Sequence, residues 1–344
     1  MKRSVAAALP SGKAFWLLVL GLALFSLLAA GCGGETGAPK GGATSVAANQ
    51  GVETTPLPAT LTYTPTLTST RTSTPTVTVT PTATPTATAT PTATVTPSPT
   101  ATPGPTPDGV LRTVRVPILM YHYISTPPAG ADVYRQDLSV APESFAAQLD
   151  DLHAQGYTTI PLKDLLSYLA TGRPELPAKP LVLTFDDGYE DNFVNAFPAL
   201  KARGMIGTFF IITDFATQGR EGYATWDQID QMAAAGMEIG SHSRDHPNLA
   251  GKDLDYLVWQ ALGSQETIEA HTGAHPHILA YPGGTYDQLV MDVFRSANYW
   301  GAVTTQQGDT QRSDRPFELK RIRIRNTTDV PKLEALLAYQ WPQE

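Results

Sequence analysis

Between residues 61 and 107, 31 of 47 positions are threonine (21) or proline (10), in runs such as Pro81-Thr82-Ala83-Thr84-Pro85. A segment of that composition cannot bury a core, and its prolines lack the N–H donors that helices and sheets need. It is expected to be disordered and extended, partly polyproline II, and a candidate for O-glycosylation, with a reach on the order of 200 Å at about 3 Å per residue. The tract also explains why only 16% of the chain is charged, against roughly 25% in ordinary globular domains. The 344 residues therefore do not divide into two folded domains. What can fold is the stretch after the tract, about 236 residues, the size of one domain.

Residues 1–32 read as an export signal. Lys2, Arg3 and Lys13 make a positive start, and Phe15 to Leu28 is an apolar run of signal-peptide length. It falls short of the about 20 residues of a membrane-spanning helix. The single cysteine, Cys32, stands at the end of that run in Leu28-Ala29-Ala30-Gly31-Cys32. This stretch resembles a bacterial lipoprotein signal, except that the leucine sits four residues before the cysteine instead of three. The resemblance implies lipidation of Cys32 and a tether to the membrane without a spanning helix; a plain signal peptide or an uncleaved anchor is the alternative. The expected organisation is thus a signal over 1–32, a Thr/Pro-rich linker over 33–109 and a folded head over 110–344. One cysteine excludes a disulfide framework and a cysteine-based structural zinc site. A net charge of −8, and of −10 for residues 109–344 alone, argues against nucleic acid as a partner.

Within the head, short apolar runs alternate with amphipathic stretches. Val116–Tyr121, Tyr157–Ile160, Leu181–Phe185, Gly207–Ile212, Met237–Gly240, Ile278–Tyr281, Trp300–Thr304 and Leu319–Ile324 are strand-like. Helical spacing follows Pro142 and recurs over 252–272, where Leu254, Leu257, Val258, Ala261 and Ile268 mark the apolar face. Gly156, Gly204 and Gly236 each close a helical run, as left-handed caps do. Seven or eight β/α units in one α/β domain suggest a parallel barrel, a distorted (β/α)7-8 barrel; a doubly wound open sheet shows the same alternation. No glycine-rich phosphate loop is present to support a nucleotide site.

In such barrels chemistry gathers where strands end, and four of these strands end in residues of catalytic type: His122, Asp186-Asp187, Ser241-His242 and Pro282-Gly283-Gly284. Adjacent aspartates at a strand end point to opposite faces, so one can ligate a metal while the other serves a water as base. An Asp-Asp-Gly turn that caps the next helix is the plainer reading. His242 and His246 follow another strand, and Pro247 biases the segment toward a tight turn. Asp187, His242 and His246 together would leave an open coordination position for water, as catalytic zinc does.

The order Thr184-Phe185-Asp186-Asp187-Gly188, then His242-Ser243-Arg244-Asp245-His246, then Tyr281-Pro282-Gly283-Gly284 resembles the polysaccharide deacetylases of carbohydrate esterase family four. The opening Pro117-Ile118-Leu119-Met120-Tyr121-His122 resembles the subgroup acting on poly-N-acetylglucosamine. The resemblance covers roughly 112–344 and implies a distorted (β/α)7-type barrel. It implies Asp186 as catalytic base and Asp187, His242 and His246 as ligands of a divalent metal, usually zinc (Zn2+). Two departures stand out. The family's Arg-x-Pro-Tyr motif is here Ala280-Tyr281-Pro282-Gly283, which leaves the Gly283 N–H as the oxyanion donor. The family's C-terminal Leu-x-x-His is missing, and in the subgroup a histidine near the start of the domain takes its place, which His122 matches as general acid.

The remaining features are plainer. Tyr189, Trp226, Tyr286 and Trp300 are candidates for a sugar-stacking floor, or else barrel packing. His271, His275 and His277 read as a helix end and loop. Arg321, Arg323 and Arg325 alternate on one strand face and are expected to pair with carboxylates, orienting Asp186 in place of the missing arginine. The function expected is metal-dependent removal of acetyl groups from an N-acetylated glycan polymer at the cell surface, by a lipid-anchored monomer. The alternative is a catalytically weakened glycan-binding module on the same fold.

Overall fold

The computed structural model describes residues 103–342. The signal-like segment, Cys32 and most of the Thr/Pro tract lie outside the described residues. Five strands and six helices make up the first part: β1 (Thr113–Arg115), β2 (Ile118–Tyr121), α1 (Val133–Asp137), α2 (Pro142–Ala154), β3 (Thr158–Thr159), α3 (Leu162–Thr171), β4 (Pro180–Phe185), α4 (Phe197–Ala202), β5 (Thr208–Ile211), α5 (Thr213–Thr217) and α6 (Trp226–Ala234). There follow β6 (Glu238–Ser241), α7 (Leu254–Thr272), β7 (Ile278–Ala280), α8 (Gln288–Ser296), β8 (Gly301–Gln307), β9 (Thr310–Arg312), β10 (Leu319–Arg323) and α9 (Val330–Ala338). All eight strand-like runs become strands.

The main sheet is parallel in the order β2-β10-β8-β7-β6-β5-β4, and pairing of β2 with β4 closes it. The closure decides for a seven-stranded barrel over an open sheet. β3 is only two residues long and adds to the start of β4 outside the ring. β1 and β9 form a separate antiparallel pair that the sequence pattern does not announce, because both are short and polar.

Strand residues alternate between the lumen and the outer helices, as a period of two requires. Ile118, Val182, Phe210, Val303 and Leu319 share one buried cluster inside the barrel. Their neighbours Leu119, Leu183, Phe209 and Ile322 pack in another, against Phe145 and Leu149 of α2 and Leu333 of α9. At Gly240 an added Cβ would lie 2.7 Å from the Phe210 ring, so the lumen leaves no room there for a side chain.

α3 does not join the outer ring of helices. Its Leu162, Leu165, Leu166 and Leu169 belong to the lumen cluster, and the helix plugs the end where strands begin. Its N-terminus has no capping side chain of its own. Glu238, the first residue of β6, supplies one by accepting from the Leu162 N–H at 2.7 Å and the Lys163 N–H at 3.0 Å. The middle of the helix lies against β8, where a Cβ on Gly301 would meet Leu166 at 2.6 Å. The chain reaches the domain at this same end: the Asp108 N–H donates to the Ala170 carbonyl at 3.0 Å, and Gly104 lies against the Trp300 ring.

Candidate active site

The lumen alternation carries straight into the chemistry. Counting two from Ile118 and Met120 gives His122; two from Val182 and Thr184 gives Asp186; two from Gly240 gives His242; two from Leu319 gives Arg321. All four are buried at the open end of the barrel.

Arg321 is fully buried and grips Asp186 with two bonds, Nη1 to Oδ1 at 2.7 Å and Nη2 to Oδ2 at 2.8 Å. Its remaining donors reach the Thr304 carbonyl at 2.8 Å and Thr184 Oγ1 at 3.1 Å. A planar guanidinium with this fork is pre-organised for one carboxylate orientation. Burial alone would raise the Asp186 carboxyl, but the Arg321 charge and hydrogen bonds, helped by His242 and His122, outweigh it and hold it below the usual carboxylate range. The arginine absent from the Tyr281-Pro282 turn is thus replaced in position by one from β10. Arg325 pairs with Asp137 on α1.

Asp187 by strand parity would point outward. A left-handed backbone (φ 74°) turns it back toward His242 and His246, which reach its Oδ1 through Nε2 at 3.3 and 3.4 Å. Ser243 (φ 65°) and His246 (φ 60°) are left-handed too. Non-glycine residues held there cost of order 1–3 kcal/mol each, and three around one point mark a functional turn. Donor atoms of the three lie within 4.8 Å of one another. Ligand atoms about 3.3 Å apart are what bonds of about 2.0–2.1 Å at tetrahedral angles require. The His242 Nδ1–H donates to the Ala280 carbonyl at 2.7 Å, which leaves Nε2 as the lone-pair nitrogen facing Asp187. Two imidazoles and a carboxylate of this spacing fit a divalent metal. Burial opposes ionisation of Asp187, but the His242 hydrogen bond and the nearby imidazoles keep it well below the normal range.

What holds the histidine turn is a set of polar residues on α7 that the apolar spacing does not reveal. Gln260 is completely buried; its Oε1 accepts from the Arg244 N–H at 2.8 Å and its Nε2 donates to Asp245 at 2.5 Å. Ser264 shares a 2.8 Å bond with Ser241, and Arg244 is tied to Asp214 of α5 at 3.0 Å. Leu254 and Val258, core positions by their spacing, are exposed instead, while Leu257, Ala261 and Ile268 are buried. The helix is rotated so that its polar residues serve the turn.

His122 lies with Nε2 3.9 Å from Asp186 Oδ2. The Asn192 side chain, in a π-helical turn over Asn192–Ala196, fixes its carbonyl at 2.7 Å. Burial dominates its titration and lowers its pKa, with Asp186 and Asp187 pulling the other way. Gly283 sits exposed in a left-handed turn (φ 60°) directly after β7. Tyr189 stacks on Tyr123 at 3.7 Å, two residues beyond Asp187. Trp226 stacks on His271 at 4.2 Å, and Tyr286 stacks on Tyr281 at 4.5 Å while donating to Glu318 at 3.1 Å. The structure therefore brings Asp186, Asp187, His122, His242 and His246 together, puts Tyr189 beside them, and gives Trp226 and Tyr286 packing partners elsewhere. His271 ends α7, and His275 pairs with Glu269 at 2.7 Å.

A sequence model of the polysaccharide deacetylase family matches residues 173–302, which spans Asp186 through His246. The Bacillus subtilis (strain 168) protein named "Putative polysaccharide deacetylase YxkH" is 31% identical over 213 residues, 62% of this chain and 72% of that protein. The poly-beta-1,6-N-acetyl-D-glucosamine N-deacetylase of Escherichia coli (strain K12) is 21% identical over 212 residues, 50% of this chain but only 31% of the enzyme. Among solved structures, the Streptococcus pyogenes deacetylase PplD in complex with acetate superposes with a TM-score of 0.60 and 26% identity, covering 66% of this chain and all of that one. With a likeness that runs over most of a relative's length, and the motif residues gathered at one end of a closed barrel, the chain belongs to the polysaccharide deacetylase family.

Proposed function

We propose that this protein is an exported, metal-dependent deacetylase that removes acetyl groups from N-acetylglucosamine-containing polysaccharide, exopolysaccharide or peptidoglycan, and releases acetate. The observation that carries the reading is the pairing of an arginine-clamped, buried carboxylate with a separate donor set of two imidazoles and one carboxylate. Glycan binding alone has no use for a base held ionised beside such a set.

Asp187, His242 and His246 hold the divalent metal, for which zinc is the fitting candidate. When bound, it supplies Lewis-acid activation of the acetamide carbonyl and of water. Asp186 takes a proton as water oxygen adds to the carbonyl carbon. The Gly283 N–H donates to the oxygen that gains charge. Cleavage of the C–N bond needs a proton on the leaving nitrogen, which His122 supplies, and free amine and acetate result. Burial favours a neutral His122 at rest, so the proton it delivers is the one that Asp186 takes from water, relayed over the 3.9 Å between Asp186 Oδ2 and His122 Nε2, and Asp186 is left ionised again. The apolar run before Cys32 supports export and a lipid tether, which would hold the head at the cell surface as a monomer.

Acetate release from poly-N-acetylglucosamine and from peptidoglycan, before and after chelation and metal return, tests this. The expected result is release that stops with chelator and returns with metal. Binding of polymer without any acetate would replace this reading with that of a glycan-binding module.

A further inference from the structure

Beside Asp187, a cleft of about 360 Å³ opens between the turn after β4, the segment after β2 and the turn at 221–223. One wall is a continuous stack. The Arg135 guanidinium lies 3.6 Å over the Tyr123 ring, Tyr123 lies 3.7 Å from Tyr189, and Tyr189 lies 5.1 Å from Tyr223. The wall is fixed by backbone: Glu190 N–H donates to the Gly222 carbonyl and Ala224 N–H to the Gly188 carbonyl, each at 2.9 Å. Its position is set by the catalytic motifs, since Tyr123 follows His122 and Tyr189 lies two residues after Asp187.

The charge of this cleft is one-sided. Glu190, Asp191 and Glu221 line it, against Arg135 among its lining residues and Arg220, whose guanidinium lies 5.2 Å over the Tyr223 ring and 4.1 Å over Phe215. Arg135 is already engaged, with Ser125 at 2.7 Å, with Asp191 at 3.9 Å and with the Tyr123 face. Asp191 is further held by Ser125 at 2.5 Å. Glu190 and Glu221 are exposed at the cleft; Glu190 Oε1 accepts from Gln228 Nε2 at 3.4 Å, which leaves its Oε2 to face a ligand. Aromatic edges and hydroxyls suit a pyranose ring. An excess of carboxylates attracts an ammonium group by charge as well as by up to three N–H donors, whereas a neutral acetamide has a single N–H to offer and no charge. The net charge of −10 over residues 109–344 acts in the same sense at long range.

We propose that this cleft is a subsite for an already deacetylated, positively charged glucosamine unit, so that the protein favours glycan that is partly deacetylated over glycan that is fully acetylated. This rests on the deacetylase reading above and names the form of polymer that the same site prefers. Each round of acetate release would then produce a unit that strengthens binding for a later one.

The test uses the intact, metal-loaded protein and β-linked glucosamine hexamers of three kinds: fully acetylated, mixed and fully deacetylated. Binding of the fully deacetylated hexamer is measured directly, since it cannot turn over. It is expected to weaken several-fold between 20 and 300 mM salt, on the order of what screening does to exposed charge pairs. The Glu190→Gln/Glu221→Gln variant should bind it about three- to tenfold more weakly, and the control Glu175→Gln/Glu266→Gln should not. The mixed hexamer should show a lower KM than the acetylated one, and the double variant should erase that difference. Equal use of mixed and acetylated hexamers by the unaltered protein, or equal binding losses in the variant and the control, would overturn the subsite while leaving deacetylation standing. Absence of acetate from every hexamer, with salt-sensitive binding of the cationic one intact, would instead remove the deacetylase reading.

Discussion

The two ends of this barrel are built from the same seven strands and the same alternation, yet they do opposite things. Where strands begin, lumen positions hold Ile118, Val182 and Leu319, and the leucines of α3 close the space. Where they end, the same column of positions holds His122, Asp186 and Arg321, and three residues sit in left-handed backbone. One end is filled mainly by apolar side chains, with the Glu238 carboxylate engaged in capping α3; the other is polar and open, with Asp187, Ser243 and His246 held in left-handed backbone. The lesson is a division of labour along each strand: apolar burial at the plugged end offsets desolvated charge and backbone strain at the open end.

Arg321 is where the contrast should break most sharply. Arg321→Met leaves the buried Asp186 carboxylate without its partner, and unfolding titrations should show a loss of about 3–5 kcal/mol together with nearly all turnover. Adding Asp186→Asn to that variant should restore much of the stability and none of the activity. If both single and double variants keep wild-type stability, the pair is not buried as described.

At the plugged end the pattern reverses. Leu166→Ala removes a buried side chain of α3, and thermal unfolding should report a loss of about 3 kcal/mol. The kcat measured well below the unfolding transition should stay within about twofold. A large fall in kcat at full folding would show that the two ends are coupled.

Between these extremes lies the clamp on the histidine turn. Gln260→Leu should leave Asp187 and His242 in place while loosening His246, and metal titration should show affinity about tenfold weaker. Gln260→Glu keeps the acceptor for Arg244 but turns a carboxylate toward Asp245, so it should not rescue. Unchanged affinity in both variants would mean that the strained turn holds itself.

The smallest effect concerns His277, stacked on Trp300 at 3.9 Å at the plugged end. Burial, with His275 and Lys163 adding repulsion, lowers its pKa from 6.5 to about 4. A histidine depressed in the folded state binds more protons when unfolded, so its contribution is present above about pH 6.5 and is lost as pH falls toward about 4. His277→Phe should flatten the stability profile within that window and leave it unchanged above pH 7. A profile that steepens would reverse the sign.

Much of the open end is legible in the amino-acid sequence. The eight strands follow from apolar runs and their glycine caps, and parity alone points His122, Asp186 and His242 inward. Arg321 is visible as a candidate partner for Asp186, because Leu319-Lys320-Arg321 puts an arginine in phase with a buried leucine. Other features are not legible, for physical reasons. An amphipathic helix that plugs a barrel has the same spacing as one that flanks it, so the pattern of α3 does not set it apart from its neighbours. Gln260 faces a turn 15 residues away in sequence, and a buried glutamine inside a helical pattern looks like a solvent position until its partners are known. Asp187 reaches the histidines only through its left-handed backbone, which residue type does not announce. Trp226 suits a sugar platform by type alone, and its packing on His271 depends on how α6 meets the end of α7.

On the proposed mechanism, adjacent aspartates at one strand end do different work, one as base and one as ligand. The most direct test measures metal content and acetate release together for Asp186→Asn and Asp187→Ala. Asp186→Asn should keep a full equivalent of metal while losing roughly 10²–10⁴ in rate, and Asp187→Ala should lose both. Metal lost from Asp186→Asn, or metal and turnover both retained by Asp187→Ala, would contradict it.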